Sequence, residues 1–143
     1  MAFFRCLQEC FDDGRLLRLC RLARVAKFQR FLAWQHCHRL TILTYRLTSD
    51  FPKTELYGIT SQMRRAAASA AATIAEGSAK RGRPEFRRFL DMALGSLSEL
   101  SYFALLAKDL GLLPEEGWKE FERLSEEAGK TTMGLYKAVA RQD

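Results

Sequence analysis

Proline and glycine are scarce in this 143-residue chain, at three and nine copies. No run alternates apolar and polar residues as a half-buried strand does. These two absences exclude a many-turned β protein and point to an all-α fold. Histidine occurs only as His36 and His38. No nucleophile-and-base grouping, phosphate-binding glycine loop or dinucleotide glycine pattern accompanies them. No enzyme, no catalytic residue and no cofactor are therefore expected. His36-Cys37-His38 invites a metal, but residues one or two apart do not share a helix face, and no second cluster with zinc spacing follows. Cys6-x-x-x-Cys10 also lacks a ligand pair at suitable spacing, so no metal site is expected. A secretory signal is not expected, because Glu9, Asp12 and Asp13 interrupt any apolar core near the start. No stretch comes near the about 20 apolar residues of a membrane span. The four cysteines, Cys6, Cys10, Cys20 and Cys37, then read as reduced thiols of a cytoplasmic protein with no membrane partner.

What is present is length enough for one domain with a real core and a net charge of +6, unevenly spread. Residues 1–100 hold 17 Lys and Arg against 9 Asp and Glu, whereas residues 101–143 hold 6 against 8. A basic field over part of a domain points to an acidic partner such as nucleic acid; solubility alone also accounts for it. Residues 1–26 carry Arg15, Arg18, Arg21 and Arg24 at every third position. A period of three drifts around a helix and holds no clean face, so this segment reads as a basic extension, poorly ordered as chain ends commonly are. The bundle domain is expected over 27–143.

Four helices are expected there. The first runs Lys27 to Thr48, with Phe28, Phe31, Leu32, Trp34, Gln35, His38, Ile42, Tyr45 and Arg46 in helical register and Leu43 and Leu47 adding to the buried stripe. It stops before Pro52, because a residue preceding proline is pushed out of the α region. The second begins between Glu55 and Thr60, is nearly all small residues, and ends at Gly77 read as a left-handed stop. The third runs from Pro84 to about Leu110 and buries Phe86, Phe89, Leu90, Ala93, Leu94, Leu97 and Leu100, with Gly111 as its stop. Pro114, Glu115 and Glu116 open the fourth, which ends near Arg141. Short connections between long helices predict an antiparallel up-down four-helix bundle. Phe86, Phe103 and Trp118 are expected on more than one exposed face, as in bundles that oligomerise.

That topology gathers Lys27, Arg30, Lys80, Arg81, Arg83, Arg87, Arg88, Lys137 and Arg141 at one end. It gathers Asp50, Asp109, Glu115, Glu116 and Glu120, with Lys53 as an exception, at the other. Arg83, Arg87 and Arg88 stand where the helix dipole disfavours cations by about 0.3–1 kcal/mol each. Phosphate contact is one reason to keep them there; a solvated turn with arginine stems covering apolar surface is the other. Lys80, Arg81, Arg83, Arg87, Arg88, Lys27 and Arg30 are the candidate nucleic-acid contacts. Arg64 and Arg65 point about 100° apart, one expected toward solvent or a partner and the other in a structural ion pair with Glu76 or Glu99.

At Trp34-Gln35-x-x-His38-x-Leu40, Tyr45-Arg46-Leu47-Thr48, Phe51-Pro52 and Glu55-x-Tyr57-Gly58-Ile59-Thr60-Ser61-Gln62 the chain resembles the four-helix-bundle proteins encoded in 23S rRNA intervening sequences. Arg64-Arg65-Ala66-Ala67, Ile74-Ala75-Glu76-Gly77, Glu85-Phe86-x-x-Phe89-Leu90, Ala93-x-Gly95-Ser96-x-x-Glu99-Leu100 and Ala107-Lys108-Asp109-Leu110-Gly111 continue the resemblance, over about residues 28 to 140. The same superfamily includes accessory proteins of diversity-generating retroelements. These assemble as pentamers, bind nucleic acid and engage a reverse transcriptase. The resemblance implies an up-down bundle, a homopentamer, and RNA or other nucleic acid as partner. Its alternative implication is a scaffold subunit for a reverse transcriptase. Relatives often carry proline and asparagine where Ala71 and Thr73 stand here, so no kink is expected in the second helix. Residues 1–26 have no counterpart in the resemblance.

Overall fold

A computed structural model describes residues 26–141. The expected basic extension over 1–26 lies outside the described residues, apart from Ala26. The described residues form four α-helices: α1 (Leu32–Thr48), α2 (Ile59–Ala79), α3 (Arg83–Asp109) and α4 (Glu115–Ala140). Two short 3-10 turns, Lys27–Arg30 and Lys53–Glu55, precede α1 and α2. Among the described residues there is no strand.

Each helix packs on its neighbours in the order α1, α2, α3, α4 and back to α1, leaving α1 and α3, and α2 and α4, on the diagonals. Side-chain contacts set the levels. Arg64, early on α2, donates to Thr48 at the end of α1 (2.8 Å), and Thr41 donates to the carbonyl of Ala67 (2.9 Å). Ser69 meets Ser96 of α3 at 3.0 Å, and Ser101 meets Ser125 of α4 at 3.2 Å. Arg46, late on α1, reaches Glu120, early on α4, at 2.7 Å.

The core is built mostly from small and medium side chains, so the helices can approach closely. Ala33, Cys37, Leu40 and Leu43 come from α1; Met63, Ala66, Ala67, Ala70 and Ile74 from α2. Leu90, Ala93, Leu97, Leu100 and Ala104 come from α3, and Phe121, Leu124 and Ala128 from α4. Alanine serves α2 twice, as the best helix former and as a side chain that keeps the neighbouring axis near. Helix α2 is unbroken from Ile59 to Ala79, and Ala71 and Thr73 both lie within it.

Several sequence expectations are corrected here. The first helix does not begin at Lys27: Lys27–Arg30 is a 3-10 turn, and Phe31 is extended (φ −78°, ψ 123°) before α1 starts. The apolar stripe read on α1 is buried only in part: Leu43 is buried and Trp34 and Leu47 pack against the core, but Leu32, Ile42 and Tyr45 are exposed. The inward line is Ala33, Cys37, Leu40, Leu43 and Thr44. The physical reason is close packing: a seam of small and medium residues lets α1 lie against α2 and α4, which leaves Ile42 and Tyr45 on the outer side. Gly77 is not a helix stop but a buried position inside α2, and α2 continues to Ala79. Phe86, Phe103 and Trp118 are only half-buried partners of the core. Finally, α3 is long and apolar enough to cross a membrane by length and composition. One face of it, from Phe89 to Ala107, is buried against the other helices, while Met92, Tyr102 and Leu105 are exposed.

The end of α3 follows local physics as read. Leu110 caps it and Gly111 takes φ 73°. Leu112 N–H donates to the Ala107 carbonyl (2.9 Å) and Gly111 N–H to that of Lys108 (2.9 Å), the pair of bonds that satisfies the last carbonyls when glycine turns left-handed.

Candidate nucleic-acid interface

The α2–α3 turn is short because Gly82 takes φ 92° just before α3, a conformation that favours glycine. Pro84 then suits the first turn of α3 with its fixed φ and missing N–H. Phe31 holds the preceding segment in place, its ring 5.5 Å from that of Phe86. Two segments far apart in sequence therefore meet at one end of the bundle. A shallow depression of about 180 Å³ lies between them, lined by Lys27, Gly77, Ser78, Lys80, Gly82, Arg83 and Phe86.

Of the seven candidate contacts, Lys27, Lys80 and Arg83 line this depression. Arg30 and Arg81 are exposed beside it on the same segments. Arg88 turns to Glu85 at 2.8 Å and lies 5.4 Å from the Phe89 ring centre, and Arg87 is half-buried one residue earlier. Lys80 is 3.1 Å from Glu76 and 5.0 Å from the same Phe89 ring. Among the described residues, Lys27, Arg30 and Arg81 have no carboxylate partner. Ser78, Gly82 and Phe31 were missed in the sequence reading. Phe31 carried a usable signal, as an aromatic directly after Arg30.

The opposite end is less acidic than expected. Glu120 is occupied by Arg46, and Glu115 lies 3.8 Å from Lys119. Lys108 sits 4.5 Å from the Trp118 ring centre. The basic end is thus distinguished more by Lys27, Arg30 and Arg81, which have no carboxylate partner among the described residues, than by contrast with a strongly negative pole.

The four residues considered for structural ion pairs separate. Arg65 bonds Glu99 across α2 and α3. Glu76 turns to Lys80, and Arg64 bonds Thr48 while lying 4.8 Å from the Tyr45 ring centre. The His36-Cys37-His38 side chains go three ways. His36 lies 3.3 Å from the Glu127 carbonyl, Cys37 enters the core 3.7 Å from the Thr132 hydroxyl, and His38 stacks on Trp34 at 4.8 Å. Burial pushes the Cys37 thiol up to about 11, with the Thr132 hydroxyl pulling the other way.

Over the described residues the chain is a helical protein of four helices that carries a cluster of cations at one end. A family profile described as 23S rRNA-intervening sequence protein matches residues 29–134, more than half of the chain. The chain belongs to that family. A solved structure from Bacteroides thetaiotaomicron, a protein with unknown function from the S23 ribosomal protein family, shares the fold with a TM-score of 0.66. It is 18% identical, and the alignment covers 73% of this chain and 98% of that one. No curated protein gives a significant match.

Proposed function

We propose that the chain is a non-enzymatic, cytoplasmic nucleic-acid-binding module, with RNA the favoured ligand. In this reading it is an antiparallel up-down bundle that assembles as a homopentamer and presents its basic end to phosphates. Support for the topology comes from the late-to-early contacts between successive helices. The observation that carries the function is the convergence of Lys27, Lys80 and Arg83 on one depression from two distant segments. Cations at the start of α3 oppose its dipole, and a phosphate would offset that cost while accepting hydrogen bonds from all three side chains. The chain has no base-reading motif, so affinity is electrostatic and salt-dependent: each phosphate neutralised on a single strand contributes about −0.7 to the slope of log K against log salt. Five weak ends in one ring would add by avidity.

The test is a titration of labelled structured RNA, single-stranded RNA and duplex DNA at two salt concentrations. Wild type is compared with a chain carrying Lys27, Lys80, Arg81 and Arg83 all changed to Ala. Salt-sensitive binding that the fourfold change abolishes is the expected result. Absence of binding at low salt overturns the reading and turns the search to a protein partner, a reverse transcriptase first.

A further inference from the structure

The side of α1 that turns toward α2 carries aromatic rings that the core does not take up. Trp34, His38 and Tyr45 stand at i, i+4 and i+11, which puts them on one face of the helix over about 16 Å. Trp34 is half-buried, whereas His38 is exposed and Tyr45 is 47% exposed. The Trp34 and His38 rings are stacked, 4.8 Å between centres at an interplanar angle of 9°. Opposite them α2 offers small side chains. Thr41 donates to the Ala67 carbonyl at 2.9 Å and Arg64 lies 4.8 Å from the Tyr45 ring centre, which fixes the levels of the two helices. On the Arg64 side of α2, the residues at i+4, i+7 and i+11 are Ala68, Ala71 and Ala75. Between α1 and α2 there is thus a shallow furrow with an aromatic wall and an alanine floor.

The furrow opens at the basic end. Lys27 lines the depression there with Lys80 and Arg83, and its neighbour Phe28 touches Trp34, ring centres 4.9 Å apart. Gln35 ties the Lys27–Arg30 turn to α1, its side-chain amide donating to the Gln29 carbonyl at 2.9 Å. Arg64 stands at the far end of the furrow. Neither wall carries a carboxylate: α1 has no Asp or Glu, and α2 has none before Glu76, which is 3.1 Å from Lys80. We infer that this furrow takes an unpaired RNA strand, its phosphates reaching the cations at either end and its bases stacking on His38 and Tyr45. A base on the exposed His38 extends a stack that Trp34 and His38 have already begun. In a duplex each base is covered by its neighbours, so only an unpaired base offers a π-face to these rings. Stacking tolerates any base, which agrees with the lack of a base-reading motif in the chain. The inference rests on the RNA reading above and names the form of RNA and the residues that would hold it.

The experiment titrates the full chain with a labelled single-stranded RNA and with the same RNA annealed to its complement. Wild type is compared with His38→Ala, Tyr45→Ala and the ring-preserving His38→Phe and Tyr45→Phe, with folding checked by circular dichroism. Wild type is expected to bind the single strand more tightly than the duplex. Each alanine change is expected to weaken single-strand binding by about 5- to 150-fold, the loss of one base–aromatic stack. Duplex binding and the slope of log K against log salt should stay unchanged, because a stack releases no counterions. Each phenylalanine change should keep the strand bound as in wild type. Equal affinity for strand and duplex, or alanine variants that hold the strand as wild type does, overturns the furrow and leaves the basic end standing. A loss that phenylalanine shares overturns stacking as the cause. Absence of binding to either RNA at low salt overturns this inference together with the reading it rests on. Should an alanine variant fail to fold, Ala68→Glu sets a carboxylate on the furrow floor instead. It is expected to weaken strand binding more than duplex binding, and equal effects on the two refute the furrow.

Discussion

Gly77→Ala tests the close approach of α2 and α3 directly. In the middle of an ordinary helix this change stabilises by about 1 kcal/mol, because alanine loses less backbone entropy. At Gly77 the added Cβ would stand 2.5 Å from the Cβ of Phe89, 3.0 Å from Phe86 Cδ2 and 3.1 Å from Phe89 Cγ. Carbon atoms settle about 3.5–4.0 Å apart, so the clash needs about 1 Å of relief. Phe89 Cβ is fixed to the α3 backbone and its ring is buried, so no side-chain rotation supplies it. The two helices must part where Ile74 and Leu90 are fully buried. Overpacking of this kind costs about 1–3 kcal/mol. A clash against a backbone-fixed atom belongs near the top of that range, leaving a net loss of about 2 kcal/mol after the propensity gain. Gly129→Ala and Gly134→Ala are the controls, since a Cβ at either meets nothing within 4 Å; each should stabilise by about 0.5–1 kcal/mol. Urea unfolding followed by circular dichroism, at one fixed protein concentration so that any self-association contributes equally, reads all three. A Gly77→Ala midpoint above wild type, moving with the controls, would refute the close approach.

Cys37 predicts a pH dependence. Its thiol is held at about 11 against an ordinary 9.0, so the folded chain keeps the proton longer than the unfolded one. The resulting stabilisation is fully present below pH 9 and is lost as pH rises through about 11; about two pKa units correspond to about 2–3 kcal/mol. Urea midpoints from pH 8 to 11 should fall more steeply for wild type than for Cys37→Ala, and parallel curves would count against a buried thiol. The Arg65–Glu99 pair has side chains 55% and 36% exposed, so solvent screens it. A double-mutant cycle to alanine should give a coupling under about 1 kcal/mol.

Helix existence and most helix ends were legible because their physics is local. Pro52 and Pro114 forbid continuation or favour initiation through their own rings, and Gly111 makes the left-handed turn within three residues of the end of α3. Gly77 was misread for a reason equally physical. A helix stop and a close crossing both call for a residue without Cβ, and the atoms that decide between them belong to Phe86 and Phe89 in the next helix. The start of α1 was misplaced because Phe28, Phe31 and Trp34 keep helical spacing, while the ring contacts of Phe31 with Phe86 and of Phe28 with Trp34 accompany a non-helical bend. The hydroxyls of Thr44 and Thr48 hide in the core by bonding the carbonyls of Leu40 and Thr44 at 2.8 Å, a use that spacing does not announce.

The cation cluster and the outward stripe of α1 fail and succeed in opposite ways. Arginines at the start of α3 were conspicuous because they oppose the dipole. Which cations share a depression was not legible, since Lys27 and Lys80 are brought to it by tertiary packing, the Lys27–Arg30 turn lying against α2 and Phe31 against Phe86. The stripe of Ile42 and Tyr45 was legible as apolar and helical, but its expected burial was a misreading, since both side chains are exposed. What the pattern lacks is the identity of the partner: a core seam and an intermolecular face demand the same side chains at the same spacing. The smaller residues Ala33, Cys37 and Leu40 already fill the inward side of α1, which leaves Ile42 and Tyr45 on its outward face.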